Sequence, residues 1–168
     1  MTVVSTHLEV FKTMECRRRQ MKFLLDQLGT GPAVIAGDFN TNTFQRGSAF
    51  HTFQSVIQLL RKNIKSRVMQ PSAWEPLFRE LRHAGFSWDE FNDTCASCSA
   101  DLASLEDRKY VPKFLRKRIL KNCRILPLRL DFITCRGLRA LSPGRTITDL
   151  PCQPSDHLPI TCDLWLHP

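Results

Sequence analysis

Four short segments of this 168-residue chain combine acids, histidines and an amide with apolar, strand-like runs. They are Ser5-Thr6-His7-Leu8-Glu9, Gly37-Asp38-Phe39-Asn40, Arg129-Leu130-Asp131-Phe132-Ile133 and Ser155-Asp156-His157. Carboxylate, imidazole and amide groups at strand ends can position water and transfer protons, so these residues are candidates for a hydrolytic site. Each also has a structural interpretation, because an aspartate before a turn is often a cap and a histidine is often simply half-buried.

Hydrophobic patterns predict the strands and helices that would hold these side chains. A strand up to residue 10, a helix over residues 11–28 and a buried strand over residues 32–39 form a strand, helix, strand unit. Asp38 and Asn40 stand two positions apart, so the sequence predicts that both side chains face the same side of an extended strand end.

The rest of the chain predicts a helical middle and a strand-rich end. Helices are expected over residues 49–67 and 74–83, a loop over 92–106, and an amphipathic basic helix over 111–123 that ends before Pro127. Strands are expected over residues 130–135, 146–150 and 158–166.

In this order, the four segments resemble the endonuclease/exonuclease/phosphatase superfamily, which includes DNase I-like nucleases, apurinic endonucleases, neutral sphingomyelinases and inositol polyphosphate phosphatases. The resemblance implies an α/β fold, a four-layer α/β/β/α sandwich with mixed, mainly antiparallel sheets, of which this chain would supply half. Residues 1–168 are then one domain that lacks its N-terminal half, with a basic helical insertion over about residues 49–128.

The resemblance also implies metal-dependent hydrolysis of phosphate esters with Mg²⁺ or Mn²⁺ as cofactor. Asp38 would orient and deprotonate the attacking water, and Asn40 would hydrogen-bond a phosphate oxygen beside it. His157 would contact the phosphate, and Asp131 would support it, because a carboxylate on the far ring nitrogen fixes the tautomer and stabilises the protonated imidazole. Asp156 would contribute to the metal environment.

His7 matches the histidine that DNase I-like and sphingomyelinase-like members use near the leaving group, which places the chain nearer that branch. The glutamate that is the family's principal Mg²⁺ ligand would lie upstream of this segment, and Glu9 and Glu15 are on the wrong side of the strand to replace it. The resemblance therefore implies an enzyme whose isolated 168-residue chain has little or no activity.

The net charge of +8 comes from one stretch of the chain. Nine of the 24 basic residues lie between Arg108 and Arg129 with no acid among them, so the other 15 bases stand against 16 acids. Such a stretch attracts polyanions, and nucleic acid is favoured over an anionic lipid surface. The alternative is that the charges form a solvated helix face with no binding function. The predicted substrate-binding residues are Lys113, Arg116, Lys117 and Lys121.

Three functions stay open from the sequence: a phosphodiesterase acting on nucleic acid, a lipid-directed phosphodiesterase or phosphatase, and a non-catalytic remnant that binds polyanions. Seven cysteines without dense regular spacing favour reduced thiols and a cytoplasmic-type compartment. Cys95 and Cys98 form a CxxC pair, but a structural zinc site needs four ligands and the chain has no second CxxC, although Cys123, Cys135 and His83 are available. No apolar run reaches the length of a membrane span.

Overall fold

The computed structural model describes residues 1–10, 13–41, 75–101, 125–150 and 155–165. These residues form an α/β fold with a mixed central sheet. Its elements in chain order are β1 Thr2–His7, α1 Met14–Asp26, β2 Ala33–Asp38, α2 Leu77–His83, β3 Cys98–Asp101, β4 Ile125–Leu128, β5 Asp131–Arg136, β6 Arg139–Ala140, β7 Arg145–Thr146, β8 Ile160–Thr161 and β9 Leu164–Trp165. Neither of these two helices is long and apolar enough to cross a membrane.

The central sheet has three strands in the order β1, β2, β5. Strands β1 and β2 are parallel and are joined by α1, while β5 runs antiparallel to β2. The register is fixed along the whole length, so His7 stands opposite Asp38, and Asp38 stands opposite Asp131. Three smaller antiparallel pairs, β3 with β4, β6 with β9 and β7 with β8, complete the described sheets.

The two helices begin and end where local sequence favours it. Helix α1 is capped by Thr13, whose hydroxyl oxygen accepts a hydrogen bond from the Cys16 N–H at 3.3 Å. Gly85, with a φ of 80°, follows α2, as expected of a residue that ends a helix. The predicted strand, helix, strand unit and the helix before Gly85 are therefore confirmed, with α1 beginning at Met14.

Strands β2 and β5 of the central sheet are buried on both faces. Ile35 and Phe132 point to the side covered by α1 and α2, where they pack in one apolar cluster with Phe78 of α2. Val34 and Ile133, one position along each strand, point to the other side and pack in a second cluster. This alternation follows from the two-residue period of a strand, and it gives the sheet a layer on each face.

Part of the predicted insertion belongs to the core. Glu75, Leu77, Phe78 and Trp88 all lie between residues 49 and 128 and are almost fully buried. Glu75, two residues before α2, forms an ion pair with Arg17 of α1, and Leu77 and Phe78 of α2 pack in the apolar cluster on the sheet, so the described residues of this region support the sheet directly. Residues 49–67 and the predicted basic helix over 111–123 lie outside the described residues.

Several strand predictions need correction. The loop predicted over residues 92–106 is wrong at Cys98–Asp101, because this segment pairs with β4 as an antiparallel strand. Strand β4 itself contains Pro127. The single strand predicted over residues 158–166 is two short strands, β8 and β9, which pair with different partners. The strand predicted over residues 146–150 reaches only Thr146.

Gly37 is the backbone position on which the site end of β2 depends most. Its φ is 137°, and an added Cβ would lie 2.0 Å from the Thr6 carbonyl oxygen in β1. We expect Gly37→Ala to lower the free energy of unfolding by at least about 2 kcal/mol, because the side chain meets backbone that cannot move away cheaply. Urea unfolding measures this. Gly31→Ala is the matched control, since its Cβ meets nothing within 4 Å, and equal midpoints for the two variants would contradict the expectation.

Candidate active site

The sheet register brings three of the predicted site residues to one end of the central sheet. His7 ends β1, Asp38 ends β2 and Asp131 begins β5, and the three are cross-strand neighbours. Directly opposed residues share a face of the sheet with their Cβ atoms about 5 Å apart. Asp38 and Asp131 are half-buried, and His7 is exposed at the sheet edge with 74% of its side chain accessible.

His157 joins this row from another part of the chain. Its Nδ1 lies 2.9 Å from Oδ2 of Asp131, so the predicted pairing of these two residues is confirmed. The backbone of His157 forms an antiparallel bridge with Cys98, and the Leu158 N–H donates to the Ser97 carbonyl at 2.7 Å beside it. The imidazole is thus oriented both by its own carboxylate partner and by backbone pairing with β3.

The surroundings of His157 favour its protonated form. Burial lowers the pKa of the imidazole, but the hydrogen bond to Asp131 and the charges of Asp131, Asp38 and Asp156 outweigh burial and raise the pKa above its ordinary value. A protonated imidazole with one N–H held by Asp131 can present the other N–H to an anion. The arrangement therefore suits contact with a phosphate oxygen.

Removing the charge of Asp131 is expected to reverse this shift. In metal-free protein the pKa of His157, followed through its ring resonances by NMR, should lie above the ordinary value and should fall in Asp131→Asn, which lacks the carboxylate charge. Because the folded-state pKa is raised, the stability from this pair is fully present below about pH 6.5 and is lost as the pH rises through the folded-state pKa. An unchanged His157 pKa in Asp131→Asn would show that the pair does not set it. Asp26→Asn, at an exposed position of α1, is the control.

Asp38 is held rigidly at the end of β2. Its Oδ1 accepts the Asn40 N–H at 2.8 Å, and its Oδ2 lies 3.5 Å from Nε2 of His7. Burial raises the pKa of the Asp38 carboxyl; the Asn40 N–H opposes this, and the nearby Asp131 charge adds to it. A carboxylate with a raised pKa accepts a proton more readily, so Asp38 is suited to act as a general base.

Two aromatic side chains anchor the acids from below. Phe39, which follows Asp38, is fully buried and stacks on Phe132, which follows Asp131, with ring centroids 5.7 Å apart. Phe78 of α2 meets the Phe132 ring edge-on at 4.9 Å. Because each acid is adjacent in the chain to a residue packed in the core, the core packing fixes the backbone position of both acids.

Asn40 does not lie where the strand argument placed it. Strand β2 ends at Asp38, and Asn40 adopts a left-handed φ of 51°, so the prediction that both side chains extend from one strand face is wrong. The Asn40 side chain is buried and its Nδ2 donates to the Leu8 carbonyl at 2.7 Å, which ties the end of β2 to the end of β1. A contact from Asn40 to phosphate stays a prediction.

Two groups of side chains could hold a metal ion among the described residues. One is Asp38, Asp131 and His157, and the other is Cys98, Asp156 and His157; within each group the ligand atoms lie within 4.8 Å of one another. Carboxylate oxygens of the first group suit Mg²⁺ or Mn²⁺, but two acids leave most of an octahedral shell to other ligands. Asp156 is exposed and belongs to the second group, and its predicted role as a Mg²⁺ ligand stays a prediction.

Sequence reasoning missed the residues that position Asp131. The hydroxyl oxygen of buried Ser97 accepts the N–H groups of Leu130 and Asp131, both at 3.1 Å. Asn92 holds the backbone of β5 two residues further on. Its Oδ1 accepts the Ile133 N–H at 2.9 Å, and its Nδ2 donates to the Ile133 carbonyl at 2.7 Å. Both residues lie in the predicted loop, where nothing in the local pattern marks them as strand partners.

Arg129 is a structural residue and not part of an exposed basic surface. It is buried and donates to the Asp93 carboxylate at 2.9 Å, the Thr146 hydroxyl at 2.7 Å and the Asn92 side-chain oxygen at 3.1 Å. Its inclusion in the polyanion-binding stretch is therefore wrong, because its charge is already paired inside the protein. The predicted substrate-binding residues lie outside the described residues; they are Lys113, Arg116, Lys117 and Lys121.

The CxxC pair and the nearby glutamates also find clear positions. Cys95 is exposed and belongs to neither metal-binding group, whereas Cys98 is buried and belongs to the second. Glu15 lies in the first turn of α1, where its carboxylate accepts from Arg18 at 2.7 Å, as expected of a helix-start acid. Of the described residues, no glutamate belongs to either group.

Comparisons with protein-family models, with curated proteins and with solved structures find no match to this chain.

Proposed function

We propose that this chain carries the water-activating and phosphate-binding part of a metal-dependent phosphoesterase, with nucleic acid as the favoured substrate. One observation supports this most strongly. The register of β1, β2 and β5 puts His7, Asp38 and Asp131 in a row, and His157 is hydrogen-bonded to the last of them. Residues 7, 38, 131 and 157 are distant in sequence, and the resemblance independently assigns catalytic roles to the same four.

In the proposed reaction Asp38 accepts the proton of the attacking water. Its raised pKa and its fixed orientation both favour that role. The protonated His157 donates to a phosphate oxygen through Nε2–H. Asp131 accepts from Nδ1–H on the opposite side of the ring and so orients Nε2–H toward the phosphate. His7, exposed beside Asp38, would assist the leaving oxygen.

A divalent cation would neutralise charge on the transferring phosphoryl group. Asp156 would be its ligand from this chain, together with the glutamate that the resemblance requires. No glutamate of the described residues belongs to a metal-binding group, so none of them fills this role in the proposal. The described residues then supply too few oxygen ligands for Mg²⁺, so we expect them to hold this ion weakly.

The proposed architecture is half of a four-layer sandwich. Helices α1 and α2 cover one face of the central sheet, and short strands pack on the other face, as one half of such a sandwich would have. On β1, Val3 stands beside buried Val34 but is itself 66% exposed. In the proposal a further layer covers this part of the sheet.

The test is a hydrolysis panel run on the longest natural form of the protein. DNA, RNA, sphingomyelin and inositol phosphates are each incubated with millimolar Mg²⁺, with a chelator as the matched blank. We expect chelator-sensitive cleavage, and fastest cleavage of nucleic acid. Preference for sphingomyelin would replace nucleic acid with a lipid as the substrate, and cleavage of nothing on the panel would leave the polyanion-binding interpretation in its place.

A further inference from the structure

The thiol of Cys98 lies at the site but has no task in the proposed hydrolysis. It is buried, and it forms a group with the carboxylate of Asp156 and the imidazole of His157, whose ligand atoms lie within 4.8 Å of one another. A sulfur, an oxygen and a nitrogen donor at this spacing need only small movements to meet on one metal ion, since metal bonds of about 2.0–2.3 Å put neighbouring ligand atoms some 3–4 Å apart.

Backbone pairing holds two of these three ligands in place. Cys98 begins β3, which pairs with β4 on one side, and the Cys98 backbone forms an antiparallel bridge with His157 on the other. The adjacent hydrogen bond from Leu158 to Ser97 secures this bridge. The thiol and the imidazole are therefore cross-strand neighbours by construction, and Asp156 precedes His157 in an exposed turn open to solvent.

The pairing of His157 with Asp131 is an independent feature of metal-binding histidines. A histidine that binds a metal through one ring nitrogen almost always donates the other N–H to a carboxylate or carbonyl, which fixes the tautomer. With Nδ1 of His157 at 2.9 Å from Asp131, the ring can offer Nε2 to a metal. Three carboxylates, those of Asp156, Asp131 and Asp38, also act on the Cys98 thiol, so the local field attracts a cation.

We propose that Cys98, Asp156 and His157 bind a borderline-soft divalent cation of the Zn²⁺ type. Thiolate and imidazole ligands select such ions over Mg²⁺, which prefers oxygen. Three protein ligands leave one tetrahedral position for water. On binding, the Cys98 thiol releases its proton to solvent and its sulfur forms the bond to the metal, so affinity rises with pH.

The consequence for hydrolysis rests on the proposed function. A cation held by the His157 imidazole occupies the ring nitrogen that would contact phosphate. Zn²⁺ bound at this site then inhibits the Mg²⁺-dependent reaction.

Binding is tested without any activity, with Co²⁺ as the probe. Co²⁺ is added to the reduced full chain, and the thiolate-to-cobalt charge-transfer absorption in the near ultraviolet is recorded. We expect one equivalent to produce the band, Zn²⁺ to abolish it, and a large excess of Mg²⁺ to leave it unchanged. Cys98→Ser should remove the band, and Asp156→Asn should weaken Co²⁺ affinity at least about tenfold.

The matched control is Cys95→Ser. Cys95 lies three positions before Cys98, is exposed and does not belong to the metal-binding group. This variant should keep the band. No band in the wild-type chain, a band that survives Cys98→Ser, or one lost equally in Cys95→Ser would overturn the site. If Cys98→Ser alters the circular dichroism spectrum, the test uses Asp156→Asn instead, because Asp156 is exposed. An unchanged Co²⁺ affinity in Asp156→Asn would also overturn the proposed metal site. Failure of the hydrolysis panel leaves these binding results standing, so the two proposals fail separately.

Discussion

Replacing His157 with glutamine is expected to lower kcat/KM for phosphate-ester hydrolysis by at least about 100-fold, because a positioned proton donor to the transition state is lost. The loss should appear mainly in kcat, since the contact strengthens as charge develops on the phosphoryl oxygens. Asp131→Asn should have a smaller effect, because the imidazole remains and only its orientation and protonation are disturbed.

The control for this series is His83→Gln. His83 is an exposed histidine in the last turn of α2, and it belongs to neither metal-binding group. Both variants should show the circular dichroism spectrum of the wild type, so that activity is compared between folded proteins. Activity of His157→Gln within about tenfold of wild type would remove His157 from the proposed mechanism.

Replacing Arg17 with leucine is expected to lower the free energy of unfolding by about 3–5 kcal/mol, because it leaves the buried Glu75 carboxylate without its partner. The guanidinium donates to both Glu75 oxygens, at 3.1 and 3.0 Å, and the two side chains are 0% and 1% exposed. Since this pair joins α1 to the start of α2, its loss should loosen the helical layer behind the site.

Two further variants show whether the loss of stability in Arg17→Leu comes from the unpaired buried charge of Glu75. Arg19→Leu removes a guanidinium that is 76% exposed and pairs with Glu15 on the surface, so it should change stability by less than about 1 kcal/mol. The double variant Arg17→Leu, Glu75→Leu removes both buried charges and should be more stable than Arg17→Leu alone. Urea unfolding measures all three, and an Arg17→Leu variant as stable as Arg19→Leu would contradict the buried-pair account.

Elements with a strong local signal could be predicted from the sequence. The apolar run of β2 and the helical period of α1 before Gly29 identify these elements without any tertiary information, although α1 begins at Met14 and not at residue 11. The pairing of Asp131 with His157, 26 residues apart, came from the order of the motifs and not from any local pattern. In each of these cases the residues that decide the structure lie within the segment or within a recognisable motif.

Features that depend on distant partners could not be predicted. Cys98–Asp101 forms a strand because Ile125–Leu128 lies beside it, and neither segment alternates strongly by itself. Arg129 looked like one more surface base because its partners, Asp93 and Thr146, are 36 and 17 residues away. At Asn40 the chain turns away from the direction of β2, because this residue has a positive φ. Asparagine tolerates a positive φ, but its presence in a sequence does not predict one.

The central claim is tested most directly by comparing Asp38→Asn with Asp26→Asn for metal-dependent cleavage of a phosphodiester by the longest natural form of the protein. Asp26 is exposed and ends α1, just before the chain enters the start of β2, so it lies at the far end of the sheet from the site. The account predicts chelator-sensitive turnover in wild type and Asp26→Asn, and a loss of at least about 100-fold in Asp38→Asn. Equal turnover in the two variants, or no metal-dependent turnover in the wild type, would contradict it.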